Sequence, residues 1–123
     1  MIGLERINVL LDEIAETFPA ALFEQLNGGI VLLPDSKYHE EARENDLYIM
    51  GEYVRDRMMG NYIVIYGGSF QRLYGEGSER NMKRRLEETL KHEFVHHVEA
   101  LAGDKDLEIE DERNLAAYRK RGK

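Results

Sequence analysis

The sequence predicts an α+β domain in which a small three-stranded sheet packs on one long helix, with further helices flanking it. Three observations lead there. Residues 3–17 repeat their apolar side chains at helical spacing. Ile30–Leu33, Asp46–Val54 and Asn61–Tyr66 are short runs rich in β-branched and aromatic residues, and Glu79–Ala102 returns to helical periodicity. The order of helices, then strands, then helices favours a segregated arrangement, with an antiparallel or mixed sheet, over alternating strand–helix units. At 123 residues the chain reads as one domain, 1–123, with room for a single core.

Each element has a local reason. In the first helix Leu4, Ile7, Leu10, Leu11 and Ile14 make one apolar stripe, which Phe18 extends. Pro19 suits the first turn of a second, short helix running to Leu26, because its missing N–H is no loss there. Asn27-Gly28-Gly29 accepts left-handed backbone and ends that helix. Ile30–Leu33 is then an apolar strand closed by Pro34-Asp35-Ser36, and the charged residues 37–45, His39 among them, read as a solvated loop. Asp46–Val54 is a strand interrupted at Gly51, and residues 55–60 connect it to Asn61–Tyr66. Gly67-Gly68 breaks that strand, and 69–74 suits a short helix. Ser78 is a good N-cap for the long helix, whose core stripe is Met82, Leu86, Leu90, Phe94, Val98 and Leu101, with Gly103 as its stop. A loop at 104–106 and a last helix over about 111–119 complete the chain.

Composition excludes several classes of protein. With no cysteine there is no disulfide scaffold, thiolate zinc site, iron–sulfur centre or cysteine nucleophile. Lys plus Arg is 17 against 24 for Asp plus Glu, a net charge of −7, which argues against a nucleic-acid partner. The basic end (Arg119, Lys120, Arg121, Lys123) reads as a favourable helix C-terminus. No apolar run approaches the roughly 20 residues that cross a bilayer, so no membrane partner is expected. Met1–Phe18 carries Glu5, Arg6, Asp12, Glu13 and Glu16, which does not suit a signal peptide, and the expected setting is cytoplasmic.

The histidines are unevenly spread. Of four, His92, His96 and His97 fall within six residues. His92-Glu93-Phe94-Val95-His96 has the pattern His-Glu-x-x-His and lies inside the long helix. Residues four apart face the same way, with Cβ atoms about 5–6 Å apart. Two imidazoles so placed can converge on one metal at about 2.0–2.1 Å from each nitrogen. Glu93, rotated about 100° from His92, stands beside such an ion rather than on it. There it can act as general base and acid on water that the metal acidifies.

A catalytic zinc site usually has a third protein ligand. No histidine follows His97, so the candidates are carboxylates. Glu99 shares the face of His96 but lies about 10 Å along the axis from His92, better placed to accept a hydrogen bond from a ligand imidazole. A chain turn at Gly103 favours the Glu108–Asp111 cluster, with Asp111 first and Glu108 or Glu110 as alternatives. The same acidic residues would also complement the N-terminal dipole of the last helix. His97 is off the ligand spacing and reads as a solvated or packed residue, or as a donor to a transition-state oxyanion. Tyr66, Tyr74 and Tyr118 are phenols of the kind that fill the same role. The strand Asn61–Tyr66 with its glycines suggests the rim of a sheet edge to which an extended peptide adds itself.

Taken together, Leu26–Pro34, Asn61–Tyr66 with its glycines, His92–His97 and Leu107–Asp111 resemble the small bacterial zincin-like metallopeptidases, over nearly the whole chain. The resemblance implies a zincin-like α+β fold, a Zn2+ ion and peptidase activity on an unspecified peptide or protein. Many members carry a glycine three residues after the second histidine and an aspartate three further on. Here those positions hold Glu99 and Ala102, and Ile109–Glu112 stands where the aspartate segment would come. The expected function is a zinc-dependent metallopeptidase with His92 and His96 as ligands and Glu93 as general base. The alternative is a zinc-binding regulatory or structural module without peptidase activity. The sequence leaves the oligomeric state open.

Overall fold

The structure is a computed structural model and describes residues 1–38 and 47–121, the last stretch, 106–121, as backbone only. It is α+β. Helix α1 (Leu4–Thr17) leads into a single 3-10 turn (Ala20–Phe23). Strands β1 (Gly29–Leu33), β2 (Lys37–Tyr38), β3 (Tyr48–Ile49), β4 (Gly51–Asp56) and β5 (Gly60–Tyr66) follow. Helices α2 (Gly67–Tyr74) and α3 (Glu79–Arg121) complete the chain.

The main sheet is mixed, in the order β1-β5-β4. Strand β1 runs parallel to β5 (Ile30 beside Ile63, Leu32 beside Ile65), and β4 antiparallel to it (Tyr53 beside Ile63, Gly51 beside Ile65). A separate two-stranded ribbon pairs β2 with β3. Asn61–Tyr66 is therefore the centre of the sheet, bonded on both sides. It cannot be the edge that takes an added peptide, and the outer strands are β1 and β4.

One core holds the helices to the sheet. The α1 stripe is buried as its periodicity predicts, with Ile7, Leu10, Leu11 and Ile14 at most 4% exposed. It meets Ile63 and Ile65 of β5, Phe70 of α2, and Met82, Leu86, Leu90 and Phe94 of α3. Phe18 and Phe23 stand edge-on to Phe94, with ring centroids 5.4 and 5.2 Å away, a favourable aromatic geometry. Ion pairs Arg6–Glu79 (2.6 Å) and Lys83–Glu13 (2.8 Å) lie at the rim of the α1–α3 contact.

Several expectations are corrected. The helix expected from Pro19 to Leu26 is only the 3-10 turn, which gives way to Gln25 in the left-handed region at φ 59°. The strand expected over 46–54 with an interruption at Gly51 is indeed two, β3 and β4, but the break falls at Met50, and Gly51 opens β4, which runs on to Asp56. Lys37–Tyr38, expected as loop, is strand, and 39–46, including His39, lie outside the described residues. Gly67-Gly68 ends β5 but begins α2 directly. A Cβ on Gly68 would lie 2.5 Å from the Pro34 carbonyl oxygen, so only glycine lets α2 start this close to the β1–β2 connection.

The largest correction concerns α3. It does not stop at Gly103, and neither the loop at 104–106 nor a separate last helix forms. Gly103 has no left-handed backbone and no neighbour within 4 Å of a built Cβ. It sits as an ordinary helical residue, costing about 1 kcal/mol against alanine, beside the good helix formers Leu101, Ala102 and Lys105. The core stripe also drifts. Val98 is half-exposed, and His97, fully buried, takes the core place that Val98 was expected to fill. A 3.6-residue repeat reaches position 97, three beyond Phe94, as readily as 98. No helix among the described residues is long and apolar enough to cross a membrane.

Candidate metal centre

Helix α3 is fixed before it reaches the histidines. The Ser78 hydroxyl accepts from the Asn81 N–H at 3.1 Å, an N-cap. Met82, Leu86 and Leu90, all fully buried, anchor one face in the core. That leaves His92 and His96 on an outer face and Glu93 turned inward, 5% exposed.

The Nε2 atoms of His92 and His96 are 3.2 Å apart, with ring centroids 4.7 Å apart and planes at 85°. Two nitrogens bound tetrahedrally at 2.0–2.1 Å from one zinc ion lie about 3.3–3.4 Å apart. One ligand atom from each of His92, Glu93 and His96 falls within 4.8 Å of the others. The donor set is nitrogen and oxygen, as a first-row divalent ion at a site without thiolates requires. These residues fit a metal.

Burial pushes the Glu93 carboxyl above its ordinary range. The neighbouring imidazoles of His92 and His96 pull it back, and Glu52 pushes it further in the first direction. The affinity of this carboxyl for a proton is therefore higher than that of a solvated one.

The three residues open into a cleft of about 910 Å³ between α3 and β4. Gly51 lets the strand approach: a Cβ there would lie 3.0 Å from Thr89 Cγ2 and 3.0 Å from the Val64 carbonyl oxygen. At the other end of the cleft Arg55 forks onto Asp104, with one contact at 3.2 Å. That pair holds the Asp104 carboxyl below its usual range and occupies one of the carboxylates downstream of the histidines.

His97 is neither solvated nor in the cleft. Its Nε2 lies 2.7 Å from the Glu24 carbonyl oxygen and its Nδ1 2.6 Å from the Tyr53 hydroxyl. A carbonyl only accepts, so Nε2 carries the proton, and Nδ1 accepts from Tyr53. The ring thus ties β4 to the left-handed turn at Gln25. Tyr66 is buried and sits apart from the cleft lining; its hydroxyl is 3.5 Å from Lys37 Nζ, which pairs with Glu52 at 2.5 Å. Glu99 lines a separate groove with Lys91 and Val98. The side chains of Glu108, Glu110, Asp111 and Tyr118 lie outside the described residues, and the turn at Gly103 that favoured Asp111 is absent.

Sequence reasoning missed β4 as the far wall of the cleft. Glu52, Tyr53 and Arg55 carry no motif, and the available signal was Gly51 inside a strand, a mark of close backbone approach.

No known family model matches the chain, and no curated protein is similar to it. Among solved structures, the fold is similar to that of a conserved hypothetical protein from Thermus thermophilus. The TM-score is 0.70, with 27% sequence identity over 83% of this chain and 99% of that one.

Proposed function

We propose that the protein is a zinc-dependent peptidase of zincin-like architecture. The observation that carries this reading is the 3.2 Å separation of the His92 and His96 Nε2 atoms beside the buried Glu93 carboxyl, at the wall of an open cleft. His92 and His96 would hold the ion, which when bound supplies a Lewis acid that makes water at the site a nucleophile at neutral pH. Glu93 takes the proton from that water and passes it to the leaving amine. Its burial raises its affinity for a proton, which favours taking one from water. An extended substrate lies along β4, whose outer backbone edge pairs with no strand among the described residues and borders the cleft, and is held there by main-chain hydrogen bonds.

The test is Glu93→Gln. The variant should bind zinc at wild-type stoichiometry and lose hydrolysis of a general peptide library by several orders of magnitude. A zinc-binding module without peptidase activity would bind zinc and cleave nothing in either form. Wild-type protein that takes up no divalent metal while folded would overturn the reading altogether.

A further inference from the structure

Helix α3 carries a second feature that owes nothing to the histidine pair. A groove of about 470 Å³ runs between α3 and the turn that follows α1, with Phe18, Leu22 and Phe94 among its walls. Along the helix side of the groove, Val95 and Val98 stand 52% and 47% exposed. The patch therefore offers an apolar ridge and an apolar groove side by side. A foreign ligand needs only the groove. Two copies of one chain need both, because in a two-fold interface each copy presents what the other receives.

The charges repeat this self-complementarity. Lys91 and Glu99 line the same groove, four residues before and four after Val95. A second α3 laid antiparallel across the first, centred on Val95, brings Lys91 to the partner subunit's Glu99 and Glu99 to the partner subunit's Lys91. Among the described residues of one chain Lys91 pairs with Glu87, at 3.3 Å, in an exposed pair of the kind that contributes little and exchanges easily.

We propose that this face joins two copies of the chain in a two-fold dimer, antiparallel across α3. The Val95–Val98 ridge of each copy sits in the Phe18/Leu22/Phe94 groove of the other. The arrangement covers two exposed valines that a monomer leaves in water, and the opposite charges at its ends fix the antiparallel sense.

Sedimentation velocity on the full chain over a micromolar concentration series tests this. Wild type should show a concentration-dependent dimer. Val95→Asp, at an exposed position, should be monomeric over the whole series with an unchanged circular dichroism spectrum. Lys91→Glu should weaken the dimer about tenfold, and adding Glu99→Lys should restore it, because the exchanged pair is again opposite in charge. The chain has no cysteine, so a nitroxide on Val95→Cys would report a short distance between labels near the axis. A wild type that stays monomeric, a dimer that tolerates Val95→Asp, or a charge exchange that restores nothing would overturn the proposal.

Discussion

The Tyr53 hydroxyl donates to His97 Nδ1 at 2.6 Å, a partly buried bond between the outer strand of the sheet and the helix that bears the histidine pair. His97 is wholly buried, with its other nitrogen donating to the Glu24 carbonyl. Tyr53→Phe should therefore leave a buried acceptor without a partner, at a cost of about 1–3 kcal/mol in urea unfolding. Zinc stoichiometry should not change, since His97 is not a ligand. A loss well below that range would mean the imidazole finds another donor.

Metal binding should appear as stability. Zinc at a hundredfold excess over its Kd should add about 2.7 kcal/mol to the unfolding free energy. Thermal unfolding with and without zinc checks this, and His92→Ala or His96→Ala should erase the difference.

Glu93 gives a pH dependence of known sign. Burial raises its folded pKa above the ordinary 4.5, so between those two values the folded state binds more protons than the unfolded. Its contribution thus lowers stability as pH climbs from about 4.5 through the folded value, and the deficit is complete above it. In chelator-treated protein, Glu93→Gln should melt higher than wild type at pH 7, and the gap should close as pH falls to 4.5. A gap that widens in acid would reverse the sign and refute the account.

Two glycines should respond oppositely to alanine. Gly103→Ala, inside a continuous helix with nothing near its Cβ, should stabilise by about 0.5–1 kcal/mol. Had Gly103 been a left-handed helix stop, the same change would destabilise. Gly68→Ala drives a Cβ to within 2.5 Å of a backbone oxygen and should cost about 3 kcal/mol or more, or prevent folding. Denaturant midpoints separate these outcomes.

What the sequence made legible was whatever depends on spacing along one element. The α1 stripe, the strand at 61–66 and the convergence of His92, Glu93 and His96 follow from helical or strand period alone. What it hid depends on partners distant in the chain. That β5 is central and β4 outer is decided by pairing across the sheet, which no local pattern encodes. The role of His97 stayed open among solvated, packed and oxyanion-donor readings because its partners, Tyr53 and Glu24, are 44 and 73 residues away. Gly103 misled because a glycine that stops a helix and one that rides inside it look the same until the backbone angle is known.

The N-terminal helix α1 and the late helix α3 share one core, and the strands between them cannot bury their inner face without both. During synthesis, the first half of this chain therefore has nothing to fold onto. The cleft wall on β4 meets α3 only when that core closes, so the cleft beside His92, Glu93 and His96 forms in the same event as the fold. On the proposed reading, that order of assembly would leave a nascent chain without a place for substrate until the fold is complete.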